Sequence, residues 1–459
     1  MNKMKNNEEK SVFVLLNLFI ILLLTIFNTM FFGSVLFIFK VPINQFLFPG
    51  SILASFLTLI FINRKNWRTK EVFIPMIFAI AIVFSSIVIG GKLIDYTADG
   101  NTYHKLAIGN MKDGWNPVYV DQDNFANNSD KNLWIQKYYL WGNTYAKGHY
   151  IYGASVYKVF GNIETAKSIN FISFILVLIL IYLYIYLKSN KRILSILLSL
   201  AFSTVPTIVT QLSTNYIDGL VFSYFFIMIF LNYFIYEKLN NNKRFNFINI
   251  NILFFLLMVV ITILINIKFS SFAYAGIYSL VFFIYYIYHY LKNKDKANLL
   301  FIRKYFIAGL ASIIIGIFVI GLSTYPKNYL NHGHPFYPLR GKGKVDIITK
   351  MQPVSFKNKT PIYKFLVSTF SQSENITYAS KMKPKLKIPF TIHESEKRDA
   401  CLVDTRIGGN GIFFSGIFII SIVILIIELI KIFKINACKT LDKESLNLFT
   451  FIFLSYWWS

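Results

Sequence analysis

Apolar residues occur in long runs that alternate with polar segments along most of the chain. Each run is about twenty residues long, which is the length a helix needs to cross the roughly 30 Å hydrocarbon core of a bilayer. The runs predict membrane-spanning helices near residues 12–38, 46–63, 72–91, 165–187, 193–209, 219–236, 247–266, 273–290, 305–323 and 411–433. We therefore predict an all-α polytopic membrane protein with about ten or eleven transmembrane helices.

Two polar segments are much longer than the others. They divide the chain into five predicted regions: N-terminal spans (1–91), a first large loop (92–164), a transmembrane core (165–323), a second large loop (324–410) and C-terminal spans (411–459). The apolar stretch that ends at Ser459 is too short to span the bilayer. It is either a partial helix or the start of a truncated span, and we expect the second.

Composition and charge distribution indicate which side of the membrane each loop faces. Hydrophobic residues make up 55% of the chain and charged residues only 15%, which excludes a soluble protein of this size. The net charge of +25 resides mainly in short loops, and every second loop is basic. Under the positive-inside rule these loops and the N-terminus are cytoplasmic, and both large loops lie outside the cytoplasmic membrane. The basic charge is then a topology signal and predicts no nucleic-acid partner.

Charged side chains are nearly absent from the middle of the predicted spans. Ion-coupled transporters normally carry such groups at the bilayer midplane, where their cost marks a functional site. In this chain the ionisable residues cluster at the predicted outer ends, and they include Asp95, Asp99, Asp218 and Lys268. This distribution favours chemistry at the membrane surface over transport.

The first large loop opens with a chemically rich segment. Residues 95–104, Asp-Tyr-Thr-Ala-Asp-Gly-Asn-Thr-Tyr-His, bring two carboxylates and an imidazole to the membrane surface. If the segment continues as a helix, Tyr103, Ala107 and Met111 share one face, and that face is expected to rest on the bilayer. Residues 133–141 repeat the pattern with interfacial aromatics. Spacing alone fits surface helices with solvated acids equally well.

These residues resemble a known family. Residues 99–107, Asp-Gly-Asn-Thr-Tyr-His-Lys-Leu-Ala, resemble the Asp-Glu-x-x-Tyr-x-x-x-Ala signature of family 39-like glycosyltransferases. These enzymes belong to the GT-C superfamily and include protein mannosyltransferases and lipid A aminoarabinose transferases. Residues 145–153 and 159–166 resemble the family's Lys-Pro-Pro-x-x-Tyr stretch and the Phe-Gly that follows it. Order, spacing and sidedness agree over about residues 90–240.

The chain departs from the family pattern at two places. Gly100 stands where the family has Glu, and Gly148-His149 stands where it has two prolines, so the resemblance is to a divergent bacterial branch. Any metal role in the family would attach to the missing acid. His332 and His334, two residues apart, do not make a metal site without further ligands. The sequence therefore indicates no cofactor and no metal site.

The resemblance implies a GT-C-like bundle and an inverting glycosyl transfer. A polyprenyl-phosphate sugar would enter from the bilayer, and a hydroxyl of a cell-envelope glycan, lipid or protein would attack its anomeric carbon. Asp99 matches the family's catalytic position and is expected to be the general base. Asp95 and His104 are further catalytic candidates that orient Asp99 or bind sugar. Lys147 stands where the family places a phosphate-contacting lysine.

Substrate contacts are expected from the same motifs and from the later loops. Asp218 either caps a helix or touches substrate, and Lys268 either snorkels or touches substrate. Pro335 and Pro338 predict a rigid turn that holds aromatics for sugar stacking. The glycines after Arg406 would let backbone N–H groups approach an anion. The candidates for substrate contact are Tyr103, Lys147, His149, Asp218, Lys268, His334 and Arg406.

Three other interpretations stay open at this point. A polymerase or ligase of surface polysaccharide would share the chemistry, but it typically uses a late loop rich in Arg and His. A transporter or flippase of lipid-linked glycans would be expected to show internal repeats and midplane charges. A catalytically inactive scaffold is compatible with glycine at position 100.

Overall fold

The computed structural model describes residues 6–64, 69–126, 133–240, 242–245, 247–294, 296–346, 352–373, 383–399 and 411–436. These residues form helices and turns, with one isolated bridge between Ser371 and Leu386. The α-helices among them, numbered α1 to α18, are Asn6–Ile38, Leu47–Asn63, Thr69–Lys92, Lys105–Lys112, Gln122–Phe125, Leu133–Thr144, Gly148–Phe160, Ser168–Ser189, Arg192–Ser203, Pro206–Gln211, Asp218–Leu239, Ile250–Ile265, Phe269–Asn293, Lys296–Ile315, Tyr325–His332, Pro361–Phe370, Glu394–Asp399 and Phe414–Asn436.

Six of the described helices are long and apolar enough to cross a membrane: α1, α3, α8, α11, α13 and α14. Shorter apolar helices, α2, α9, α12 and the first part of α18, occupy the other predicted spans. The prediction of an all-α multi-pass membrane protein is confirmed. The single span expected over residues 193–209 is instead broken into α9 and α10. Pro206 disfavours a helical conformation of Val205, which is extended at ψ 135°.

The chain forms two compact units, residues 1–344 and residues 345–459, called here the bundle unit and the C-terminal unit. The first twenty-one residues of the predicted second loop, 324–344, therefore belong with the bundle. Within the C-terminal unit, the buried Lys387 ammonium lies 2.5 Å from the Glu396 carboxylate. Glu396 also accepts hydrogen bonds from the backbone N–H groups of Ser373 and His393. Glu396 thus joins α17 to the segments around Ser373 and Lys387.

Small polar side chains pack the spans of the bundle unit together. Ser195, Ser199 and Ser203 follow one another at four-residue spacing on α9 and are fully buried, and α9 packs on α8. Between α1 and α2, Asn28 donates to the Ser55 hydroxyl at 3.0 Å. Small residues let membrane helices approach closely, and such hydrogen bonds satisfy groups that lipid cannot.

The polar loops gather at two opposite ends of the bundle unit. One end carries the basic loops and includes the pair formed by Lys188 and Glu237. The other, called here the site end, is formed by the last turns of α3, α12 and α14 and the first turns of α8, α11 and α13. Asp95 bonds Asn215 there, and Lys268 pairs with Asp218.

The first large loop folds back onto the bundle unit. Residues 100–104 form a π-helical turn that leads into α4, and Ala107, Met111 and Trp115 are buried against Tyr150 and Ile151 of α7. The expectation that this apolar face rests on the bilayer was therefore wrong. A protein surface supplied by α7 and the end of α1 covers it instead, because α7 runs beside α4.

Candidate functional site

The site end is built around the segment that the sequence singled out. Asp99 immediately precedes the π-helical turn Gly100–His104. Such turns are uncommon and are found frequently at functional sites. The half-buried Asp99 carboxylate accepts a hydrogen bond of 3.0 Å from the Tyr103 hydroxyl. The four-residue spacing of the motif thus places a tyrosine where it orients the carboxylate.

Asp95 has a different role from Asp99. Its side chain is buried, with 2% exposed, and its two oxygens accept four hydrogen bonds. Two come from Thr97, at 2.9 and 2.6 Å, and two from Asn215, at 2.8 and 3.0 Å. The carboxylate therefore ties the loop after α3 to the turn before α11. All its acceptor capacity is used by the fold.

The same contacts explain the glycine at position 100. A Cβ atom added to Gly100 would overlap the Asp95 carboxylate and the Thr97 hydroxyl. A glutamate, as in the resembling family, does not fit there unless Asp95 moves. In this chain the space beside the backbone of residue 100 is occupied by the carboxylate of Asp95.

Two histidines lie side by side next to Tyr103, the hydrogen-bond partner of Asp99. His149 Nε2 is 3.4 Å from His104 Nδ1, and the Tyr150 hydroxyl is 3.0 Å from the same nitrogen. Burial, together with the positive charge of Lys268, lowers the pKa of His104 to about 3. Burial also holds the pKa of His149 well below its usual range, with His104 and Lys147 adding to the effect. Both rings are therefore neutral near pH 7, and each offers one donor and one acceptor nitrogen.

Lys268 and Asp218 form the charged part of the site. Lys268 immediately precedes α13, Asp218 is the first residue of α11, and each side chain is 37% exposed. Burial alone would lower the pKa of Lys268, but Asp218 and, further away, Asp99 raise it on balance. The lysine is therefore charged at the site. Asp218 makes no side-chain cap, but its negative charge in the first turn of α11 is favourable.

Aromatic rings connect these groups. The ring centroid of Tyr103 is 5.8 Å from that of Tyr145, which is 5.6 Å from Phe269. Phe269 in turn lies 6.0 Å from Phe336, and Trp141 flanks Tyr103 and Tyr145. These five residues are called here the aromatic wall. Aromatic faces of this kind, with polar groups at their edges, suit a ligand that has both apolar and hydroxyl-bearing surfaces.

Lys147 is fully enclosed. Its ammonium donates to the carbonyl oxygens of Asn143, Tyr145 and Ser323 at 2.7, 3.0 and 3.3 Å, and to the Thr324 hydroxyl at 3.4 Å. Burial holds its pKa well below the usual range, and Lys327 adds to the effect. Lys147 joins the loop before α7 to the turn before α15. A contact with phosphate stays a prediction, and it would require these bonds to be exchanged.

The later candidates fall at different places. His334 lies in the turn after α15, where its Nδ1 accepts a hydrogen bond from the Phe336 N–H at 3.1 Å. The turn expected around Pro335 and Pro338 is present, and it places Phe336 in the aromatic wall. Arg406 lies outside the described residues.

Sequence reasoning missed several polar residues that shape the site. Glu164 forms ion pairs with Lys105 and with the fully buried Lys167. The Asn266 carbonyl accepts from the Gly148 N–H at 3.0 Å, and the Asn266 amide donates to the carbonyl of Gly316. An Asn at the end of an otherwise apolar span is costly unless it is bonded, and this cost is the signal that could have found Asn266.

The site therefore assembles five of the predicted residues around one locus: Asp99, Tyr103, His104, Lys268 and Asp218, with His149 directly behind them. Among the described residues, no group of three or more His, Cys, Asp and Glu side chains could hold a metal ion. The arrangement can accept a proton, bind an anion and hold a ring against aromatic faces.

No protein-family model matches this chain, and neither a curated protein nor a solved structure is significantly similar to it.

Proposed function

We propose that the protein is a membrane glycosyltransferase that transfers a sugar from a polyprenyl-phosphate donor to a hydroxyl of an extracytoplasmic acceptor. One observation carries the proposal. A carboxylate, Asp99, is oriented by Tyr103 of the aromatic wall, and Lys268, which pairs with Asp218, directly precedes Phe269 of the same wall. The resemblance of residues 99–107 to the family 39-like motif agrees with this assignment.

The reaction is a single displacement with inversion. The acceptor oxygen forms a bond to the anomeric carbon while the bond from that carbon to the phosphate oxygen breaks. Asp99 takes the acceptor proton as positive charge develops on the sugar ring, and the lipid phosphate leaves with the bonding electron pair. Tyr103 holds the carboxylate in one orientation. The neutral His104 and His149 are buried beside Tyr103 and add no charge to the site.

The charge distribution of the bundle supports an extracytoplasmic site. The end opposite the site carries the basic loops, which the positive-inside rule assigns to the cytoplasm of the cell membrane. The site end is then outside, where polyprenyl-linked sugars meet envelope glycans, lipids and proteins. In the six candidate spans, Asp, Glu, Lys and Arg lie near the helix ends. This placement favours surface chemistry over ion-coupled transport.

The test is transfer from radiolabelled polyprenyl-phosphate sugars in membranes that contain the protein. Asp99→Asn is expected to lower the rate by about 10²–10⁴-fold, the usual contribution of a general base. Asp113→Asn is the matched control, because Asp113 is an exposed carboxylate of the same loop and contacts Lys112. Equal rates for Asp99→Asn and the wild type would remove Asp99 from the mechanism.

The same preparation separates the other functional classes. Absence of transfer by the wild type with every donor, together with movement of the lipid-linked glycan across vesicles, would replace the proposal with a flippase. Sidedness is tested with a single cysteine at Tyr103. If that cysteine is labelled only from the cytosolic face, the proposed orientation is contradicted, and so is the proposal that the protein is an extracytoplasmic glycosyltransferase.

A further inference from the structure

An apolar groove follows α13 from the site end into the membrane-spanning part of the bundle. Its deeper part is a cavity of about 330 Å³ between α12, α13 and α14, lined by side chains such as Ile265, Leu280, Phe306 and Leu310. Nearer the site end lies a cavity of about 370 Å³ beside α15. Phe272 lines both cavities, so the two adjoin.

Two glycines form part of the groove. A Cβ atom added to Gly276 or to Gly309 would meet no atom within 4 Å. Glycine in a membrane helix normally allows a neighbouring backbone to approach closely, and each glycine destabilises a helix by about 1 kcal/mol relative to alanine. No neighbour uses the space at either position. What these glycines provide is the open space between α13 and α14.

The groove begins at the aromatic wall, since Phe336 lines the cavity nearer the site end. Lys268, in extended backbone, immediately precedes α13 and is next in the chain to Phe269 of the same wall. The hydroxyl of Ser271, which is fully buried in the first turn of α13, has no hydrogen-bond partner among the described residues. From Phe272 to Phe283 the groove follows twelve residues of α13, and the eleven steps of 1.5 Å between them give a length of roughly 17 Å. It therefore extends over about half of a 30 Å hydrocarbon core.

We infer that Lys268 and this groove bind a single-chain polyprenyl phosphate, with the phosphate at Lys268 and the tail between α13 and α14. The inference rests on the proposed function and deepens it, because it moves the phosphate contact from the enclosed Lys147 to the half-exposed Lys268. One continuous groove accommodates one chain, whereas a phospholipid has two. The phosphate beside Lys268 is also at the aromatic wall, where the sugar it carries reaches Asp99.

The experiment measures photolabelling of the purified full chain in phosphatidylcholine nanodiscs. The probe is a polyprenyl monophosphate with a diazirine in the part of the tail that lies within about 17 Å of the phosphate. Label is expected on peptides that contain Phe272–Phe283 or Tyr305–Ile313, and excess unlabelled polyprenyl phosphate should remove it. Label found reproducibly on other helices would overturn the inference.

Three variants test the groove and the head group separately. Gly276→Leu/Gly309→Leu places two side chains in the groove, where an added Cβ meets no atom within 4 Å, and should lower labelling by about tenfold. Gly50→Leu on α2 is the matched control, since a Cβ there also meets no atom within 4 Å. Lys268→Gln should weaken labelling to a similar extent, and Lys268→Arg, which keeps the charge, should retain it. Unchanged labelling in the glycine double variant or in Lys268→Gln would refute the assignment.

Competitors distinguish the possible ligands. Neutral polyprenol should compete much more weakly than polyprenyl phosphate, and equal competition would exclude Lys268 as a phosphate site. Phosphatidylglycerol should not compete, and full competition by it would make the groove a general anionic-lipid site. Labelling as expected without any sugar transfer would support this inference and overturn the proposed function. Normal transfer by the glycine double variant would overturn the inference alone.

Discussion

Asp95→Asn and Asp99→Asn are the same substitution four residues apart, and the structure predicts opposite outcomes. Asp99 accepts a hydrogen bond from Tyr103, which an asparagine oxygen can still accept. Asp95 accepts two hydrogen bonds on each oxygen. An asparagine at position 95 must turn its NH₂ group towards one of these two pairs of donors.

The loss of stability expected for Asp95→Asn follows from the hydrogen-bond donors that lose their acceptor. If the NH₂ group faces Asn215, a backbone N–H and a side-chain amide are left without a partner in a buried place. If it faces Thr97, the hydroxyl can rotate to accept, but the Thr97 N–H remains unpaired. A lost hydrogen bond to a charged group costs about 1.5–3 kcal/mol, so we expect a loss of roughly 2–4 kcal/mol. For Asp99→Asn we expect a change within about 1 kcal/mol.

The assay compares thermal unfolding of the two purified variants in one detergent at one heating rate. Asp95→Asn should unfold on the order of 5 °C lower than the wild type. Asp99→Asn should unfold within about 1 °C of it while losing sugar transfer. An Asp95→Asn variant as stable as the wild type, yet inactive, would show that Asp95 and not Asp99 is the reacting carboxylate.

Three further predictions follow from buried groups of the site. Lys147→Met should lower the thermal midpoint by several degrees, because three carbonyls and a hydroxyl lose a hydrogen-bond donor worth roughly 2–4 kcal/mol in total. An unchanged midpoint together with lost binding of the polyprenyl-phosphate sugar would instead favour the phosphate contact. Burial holds the pKa of His104 at about 3, below the 6.5 of an unfolded histidine, so the stability that the neutral ring contributes is complete above pH 6.5 and is lost as the pH falls towards 3. The thermal midpoint of the wild type should therefore drop between pH 6.5 and 5, and that of His104→Gln should drop less. Equal slopes of the midpoint against pH would contradict the buried neutral ring. Gly100→Glu should prevent stable folding. Asp95→Gly/Gly100→Glu should recover part of the thermal midpoint, since Asp95→Gly removes the overlapping carboxylate. No recovery in the double variant would refute the steric explanation.

The membrane class and the position of the spans follow from the sequence because the bilayer imposes a simple rule. Every span needs about twenty apolar residues and must satisfy its own backbone hydrogen bonds, so a helix is recognised from a local run alone. The break between α9 and α10 is also a local effect, of Pro206, although the apolar run concealed it. The pairing of Asp99 with Tyr103 is local too, since four residues make one turn.

The roles of the other polar residues were decided by tertiary structure. Asp95 and Lys147 carry the chemistry that a catalytic site needs, but partners 120 and 176 residues away, Asn215 and Ser323, occupy their hydrogen-bonding groups. Lys268 acquires its carboxylate partner from a residue 50 positions earlier. A sequence lists donors, acceptors and charges, but burial and long-range contacts determine which of them remain accessible to a ligand. The fold alone therefore separates a carboxylate that is buried and holds the site together, Asp95, from one that stays partly exposed, Asp99.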